Sequence, residues 1–456
     1  MSKDIDHPSE GDSNLSPGRS AWTRNMAGGK SAGLVAQDAD HFLRQALSTP
    51  CLAAITKAEG IWIEDADGNR YMDFHGNNVH HIGYGHPRLV AALKEQMDTL
   101  PFAPRRFTNE TAVALAAKLA SIAPAGLDKV LLATGGSDAN EMALKLARAV
   151  TGRHKTISFW DAFHGAGFGA SSVGGESLFR SGPIGPLLTG SEHVAPFSCY
   201  RCPYGYDGPD LSVCKMTCAE MVRYVLEKEG DVAAVIAEPV RSVPYLPPPG
   251  FWKAVRQACN DHGALLIFDD IPNGLGKTGR MFSSEHFDAV PDILTLGKAL
   301  GGGMLPIAAM LTRPDLDVLA DRALGHYTHE KNPVTCRAAL TTIEIIESEG
   351  LVDNAARVGA HALERLHDIK DRHSLIGDVR GLGLVMGIDL VEDRATKEPA
   401  MAAADRILYR ALEKGLNFKT TMGSVLTLTP PLVITIAEMD QALDILDTCF
   451  AEEAAA

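Results

Sequence analysis

The chain is 456 residues long, 45 % hydrophobic and 22 % charged, an ordinary globular composition that at roughly 100–200 residues per domain predicts two or three domains. Its formal net charge of −14, without basic runs, makes it a poor partner for nucleic acid. No run of about 18 apolar residues is present, so no helix is expected to span a membrane.

The first 30 residues are polar and rich in Ser, Gly and Asp. They lack the apolar core of a secretion signal, so residues 1–30 are expected to form a flexible arm and the protein to be cytoplasmic. Between 50 and 75, Ile61, Ile63 and Tyr71 flank Asp65-Ala66-Asp67-Gly68-Asn69, a hairpin pattern in which Asp-Gly supplies the tight turn. A helix is expected from Pro87 to about residue 100. From 106 to about 310, short apolar runs alternate with helical patterns. Strands are expected over 129–133, 156–160, 232–238, 264–268 and 307–312, with helices over 141–149, 219–228 and 252–261 between them. That alternation implies an α/β domain with a largely parallel sheet covered on both faces. Beyond 336, helices over 338–347, 351–372, 402–413 and 435–449 mix with strands over 384–390 and 425–428, the pattern of a small α+β domain. The expected organisation is an arm over 1–30, a segment over 31–105 that joins the small domain, a large domain over 106–335, and the C-terminal small domain over 336–456.

Four of the eight cysteines, Cys199, Cys202, Cys214 and Cys218, fall in an insertion over 196–220. Their C-x2-C-x11-C-x3-C spacing is one that thiolates can close around a tetrahedral ion. Reduced cysteines or one disulfide in a loop fit the same spacing, and no metal is assigned.

Five stretches carry chemistry, each with an ordinary structural alternative. In Leu296-Gly297-Lys298-Ala299-Leu300-Gly301-Gly302-Gly303 a lysine sits among apolar residues before three glycines. An apolar setting favours the neutral amine that can attack an aldehyde, and the glycines admit a bulky group close to the backbone. A solvated loop lysine fits this stretch as well. Leu265-Leu266-Ile267-Phe268-Asp269 is a buried-strand pattern ending in a carboxylate, 29 positions before Lys298. A buried carboxylate needs a cationic partner, for which a protonated pyridine nitrogen serves; a turn-capping Asp is the alternative. In Ala133-Thr134-Gly135-Gly136-Ser137 a strand gives way to a helix whose first N–H groups can bind phosphate. Phe163, before His164 and Gly165, can stack on a flat ring or simply fill the core. Thr328, in His326-Tyr327-Thr328-His329, offers a hydroxyl to phosphate or to solvent.

Together and in this order, these stretches resemble the class III aminotransferases, pyridoxal-phosphate (PLP) enzymes of fold type I, over about residues 50–450. Residues 133–141 resemble the family's phosphate turn, Phe163-His164-Gly165 its aromatic-His-Gly, and Glu238-Pro239 its Glu-Pro strand end. Asp269 to Gly279 resembles its Asp-Glu-Val-Gln-Thr-Gly stretch, and Asn332-Pro333 its Asn-Pro. The resemblance implies a mostly parallel seven-stranded sheet. It implies PLP held as a Schiff base by Lys298, with Asp269 paired to the ring nitrogen, Phe163 stacked on the ring next to His164, and Gly136 and Ser137 on the phosphate. It further implies a homodimer in which Thr328 reaches the phosphate of the neighbouring subunit.

Departures from the family pattern point to the substrate. Amino-acid-processing members carry an arginine shortly before Pro-Pro-Leu; here Thr427 stands there, and threonine cannot grip a carboxylate as a guanidinium does. The family glutamine is Pro272. Arg241 follows Glu-Pro-Val, and Arg105-Arg106 adds positive charge, with surface ion pairing the alternative for at least one of that pair. Gly76-Asn77-Asn78-Val79 resembles the Asn-Asn-Val of the phospholyase branch, whose substrates are phosphorylated amines. Arg241, Asn78 and Arg106 are therefore the expected substrate-binding residues. The expected reaction is ammonia release from 1-hydroxy-2-aminoethylphosphonate to give phosphonoacetaldehyde; the alternative is an ω-aminotransferase passing an amine to a keto acid.

Overall fold

Strands Val232–Ala237, Leu265–Asp269, Ile293–Leu296 and Ala308–Thr312 are buried along their whole length, which requires cover on both faces of the sheet they form. In the computed structural model, which describes Gly11 and residues 15–455, they lie in a seven-stranded sheet. Its spatial order is Lys129–Ala133, Ala308–Thr312, Ile293–Leu296, Leu265–Asp269, Val232–Ala237, Lys155–Phe159 and Ser191–Val194. Ala308–Thr312 runs antiparallel to both neighbours and the other pairings are parallel. The α/β sheet expected from the sequence is present. Two of its strands, Ser191–Val194 and Ile293–Leu296, have no counterpart among the expected ones.

Two compact units make up the chain: residues 87–352, which contain this sheet, and residues 1–86 together with 353–456. Helix Gly136–Thr151 packs Ala139, Met142, Ala143 and Ala147 on the large sheet. Helix Pro333–Ser348 starts where it does because Asn332 Oδ1 accepts from the N–H groups of Val334 and Thr335, at 2.8 and 3.2 Å, with Pro333 at the first helical position. The Asn-Pro pair is a helix start. The same unit gains a helix not expected from sequence, Glu110–Ile122, capped by Asn109.

The other unit has two four-stranded sheets. One is ordered Ile55–Glu59, Trp62–Asp65, Arg70–Asp73, Leu416–Asn417; the other Ile376–Leu382, Val385–Leu390, Val425–Leu428, Lys419–Thr421. The Asp65–Asn69 turn forms as expected, with Asp65 Oδ1 accepting from the N–H groups of Asp67 and Asn69. The expected arm over 1–30 is revised. Residues 1–10 and 12–14 lie outside the described ones, but Pro17–Asn25 is a helix capped by Ser16. It is docked by Trp22, whose ring is buried and whose Nε1 donates to the Leu52 carbonyl at 2.9 Å. Lys30–His41 is a second helix.

Candidate active site

The carboxyl ends of the parallel strands collect the chemically active residues on one edge of the large sheet, where ligands of open α/β sheets bind. Leu265–Asp269 ends on a carboxylate only 2 % exposed. Hydrogen bonds compensate part of that burial. Asp269 Oδ2 accepts from Asn140 Nδ2 and His164 Nδ1, each at 2.8 Å, and Oδ1 accepts from the Ile271 N–H at 3.2 Å. Asn140 is itself fixed: it also donates to the His164 carbonyl at 2.8 Å, and its Oδ1 accepts from Thr295 Oγ1 at 2.8 Å. A carboxylate only accepts, so His164 carries its proton on Nδ1, and its Nε2 is buried without a partner. Among the described residues neither lysine nor arginine pairs with Asp269. The carboxylate is oriented by His164 and by neutral donors, and it can take a cationic nitrogen as counter-ion.

Helix Gly136–Thr151 begins without a side-chain cap, which leaves its first N–H groups available to an anion. Gly165 presses on this start at φ +130°, and a Cβ there would stand 2.3 Å from Ser137 Oγ. The Ala166 N–H donates to that hydroxyl at 3.1 Å. Thus Gly136 and Ser137 share one surface with the turn that carries Phe163 and His164. Phe163 is half-buried, its ring centre 4.6 Å from that of Phe179. Thr328 is exposed, beside Tyr327, whose hydroxyl is pushed up by burial and by a bond to Asp138 at the same helix start.

Lys298 follows strand Ile293–Leu296 at φ +46° and opens a 3₁₀ turn, Lys298–Gly301. A non-glycine residue in this region costs about 1–3 kcal/mol and persists only where its surroundings fix it. Both of its neighbours, Gly297 and Ala299, are buried while Lys298 itself is half-buried.

Asp270, next to Asp269, was not singled out from the sequence. It is fully buried, accepts from the Ser283 N–H at 2.8 Å through Oδ2, and its Oδ1 has no partner. Burial pushes its carboxyl up to about 7 from an ordinary 3.8. A carboxyl raised on folding contributes stability that is fully present below about pH 3.8 and is lost as pH rises through 7. Asp270→Asn keeps an acceptor for Ser283 and should remove this slope. Compared with wild type between pH 4 and 8, its unfolding free energy in urea should change less by about 4 kcal/mol; identical slopes would contradict the assignment.

The arginines divide. Arg241 is 1 % exposed and already committed: it donates to the carbonyls of Trp160 and Asp161, and its Nε lies 3.8 Å from Glu238. The expectation of a guanidinium free to grip substrate does not match this arrangement, in which Arg241 ties down the turn after Lys155–Phe159. Arg105 pairs with Glu330 at 3.4 Å, the ordinary alternative for that pair, while Arg106 is exposed. In the other unit Asn78 is buried, at φ +58°, with Oδ1 lacking a partner. Thr427 is also buried there, its hydroxyl 2.8 Å from that of Thr421.

None of the eight cysteines is in a disulfide. Cys199, Cys202, Cys214 and Cys218 line one cavity of about 20 Å³. Burial pushes the Cys218 thiol up to about 12, so it stays protonated. Among the described residues no three His, Cys, Asp or Glu groups are arranged to hold a metal ion.

Residues 44–450 match the family model for aminotransferase class III. The chain belongs to the class III aminotransferases. Relatives of this class III chain include the (R)-1-hydroxy-2-aminoethylphosphonate ammonia-lyase of Vibrio splendidus (strain 12B01), 46 % identical over 97 % of this chain and 95 % of that protein. The leucine/methionine racemase of Thermococcus litoralis is 39 % identical over 88 % of this chain and 91 % of that one. An (S)-enantioselective omega-transaminase from Thermomicrobium roseum shares the fold at a TM-score of 0.86 and 30 % identity, covering 92 % of this chain and 98 % of that one. As a class III aminotransferase homologue, the chain is a PLP-dependent enzyme, ammonia-lyase or aminotransferase. Its residues fit that cofactor. A buried carboxylate without a lysine or arginine partner, an orphaned histidine nitrogen, an uncapped helix start and a half-buried lysine stand on one sheet edge. Sequence reasoning missed Asn140 as the residue that holds Asp269 and His164 together. Its signal was a polar amide four positions after Gly136, on an otherwise apolar helix face.

Proposed function

We propose that this chain is a lyase that removes ammonia from 1-hydroxy-2-aminoethylphosphonate and releases phosphonoacetaldehyde. The observation that carries the reading is Thr427, buried and bonded to Thr421 where amino-acid-processing members place an arginine. A threonine hydroxyl engaged in this way offers no bidentate grip on an α-carboxylate. The likeness to the Vibrio ammonia-lyase over nearly the whole chain supports the same substrate class.

PLP, when bound, supplies an aldehyde that condenses with amines and a ring that draws electrons from the carbon bearing them. In this reading the N–H groups of Gly136 and Ser137 hold its phosphate, Phe163 covers a ring face, and Asp269, oriented by His164 and Asn140, faces the ring nitrogen. Lys298 is the point of attachment and, when free, the base that takes a proton from the amine-bearing carbon. Arg106, exposed, offers positive charge to the substrate, and Arg241 fixes the turn that leads to Phe163. Thr328, exposed, reaches the phosphate of a second subunit in a cytoplasmic homodimer. The overall reaction is balanced without a co-substrate: hydroxyl leaves, water returns on hydrolysis, and ammonia plus phosphonoacetaldehyde account for all atoms.

The aminotransferase alternative needs an amine acceptor. With no keto acid present, purified enzyme should release one ammonia per aminophosphonate consumed, followed by a coupled ammonia assay. Strict dependence on pyruvate or 2-oxoglutarate would replace the lyase by the aminotransferase.

A further inference from the structure

The turn that leads from strand Lys155–Phe159 to His164 is gripped from outside by a segment with no role so far. Its 3₁₀ turn Ser177–Phe179 places Phe179 against Phe163, ring centres 4.6 Å apart. The next residue, Arg180, lies over the Trp160 ring with Cζ 4.8 Å from its centre. Trp160 is 44 % exposed and stacks on His193 at 4.6 Å and 28°. Burial, then the charge of Arg180, pushes His193 down to about 4, so this neighbour is neutral and competes for no anion. No carboxylate among the described residues pairs with Arg180, and burial alone acts on it, weakening its hold on the proton. A half-buried guanidinium without a counter-ion is costly, and stacking on tryptophan recovers only part of the cost. An anion from solution would recover the rest. Arg241 and Arg105 are spent on carbonyls and on Glu330; Arg180 is not.

We infer that Arg180 is the guanidinium that recognises the substrate's phosphonate. The inference rests on the aminophosphonate reading above. Its geometric basis is the position of Arg180 over Trp160, at the head of the turn whose His164 bonds Asp269 at 2.8 Å. A phosphonate presents three oxygens, which a guanidinium fork matches better than an ammonium would. Trp160 holds the fork flat, and Arg241 holds the backbone beneath Trp160.

The test uses holoenzyme and two variants, R180M and R180K. Calorimetry measures binding of 2-hydroxyethylphosphonate, which lacks the amine and so reports on the anion site alone. R180M should weaken that binding about 10- to 100-fold and raise KM for the aminophosphonate by a similar factor, with kcat changed little; R180K should fall between. A structural staple would instead lower Tm and kcat together and leave KM in place, which overturns the inference. So does R180M binding the phosphonate as wild type does. Should R180M fail to fold, R180K carries the comparison, because it keeps the charge and loses the planar fork. If wild type itself neither binds 2-hydroxyethylphosphonate nor releases ammonia from the aminophosphonate, the substrate reading falls and takes this one with it. If wild type does both and neither variant differs, Arg180 alone is removed from the site.

Discussion

Asp269→Asn is expected to lower kcat by about 10²–10³-fold, the scale of losing one preorganised electrostatic contact at a reacting centre. The fold should survive, because asparagine fills the same volume and can still accept from Asn140 or from the Ile271 N–H. What is lost is charge. A neutral amide facing a pyridine nitrogen no longer favours its protonated form, and the ring draws electrons less strongly. The new amide N–H groups also meet donors, His164 Nδ1 and Asn140 Nδ2, so the histidine ring should lose its fixed orientation. The measurement is kcat together with a thermal melt: a large rate loss with Tm within a few degrees supports the role. A near-normal kcat would mean that Asp269 is only a strand-end cap.

Lys298→Ala is expected to cost at least about 10³-fold in turnover and to leave the cofactor held only by non-covalent contacts, so that dialysis removes it far faster. The strained backbone at this position offers a control within the experiment. With φ at +46°, alanine suffers the same backbone cost as lysine, so Tm should change little and the rate loss cannot be blamed on unfolding. Lys298→Arg keeps a long basic side chain but cannot act as a neutral amine, and it should be as inactive as the alanine variant.

The two residues at the centre of this account were legible in the sequence because each ends an apolar run. Leu265–Phe268 delivers Asp269, and Ile293–Leu296 delivers Lys298 two residues later. An apolar strand ending in a charged or reactive group is a local pattern that needs no tertiary knowledge. The strand Ile293–Leu296 itself went unrecognised: Pro291-Asp292 marks a break before it, but four residues carry too little periodicity to distinguish strand from helix. Ser191–Val194 failed for a different reason. It is an edge strand whose first three residues are polar, and only pairing with Lys155–Phe159 makes it one. The helix Pro17–Asn25 carried its signal, Ser at the cap and Pro at the first position, but the polar composition around it outweighed that signal. Arg180 was not legible, and Asn140 only as a polar amide on the apolar face of its helix, with nothing to say what it would hold. Asn140 matters only because folding brings residues 140, 164, 269 and 295 together, and Arg180 only because Trp160 lies under it. Arg241 shows the converse. Its position in the sequence suggested a substrate grip, and three dimensions show its nitrogens already engaged.

All of this depends on a covalent bond between Nζ of Lys298 and the cofactor. Borohydride reduction of the cofactor-loaded protein, followed by proteolysis and mass mapping, tests it directly. A pyridoxyl group is expected on Lys298 and on no other lysine. A modification found instead on the buried Lys277, or on no lysine at all, would contradict it.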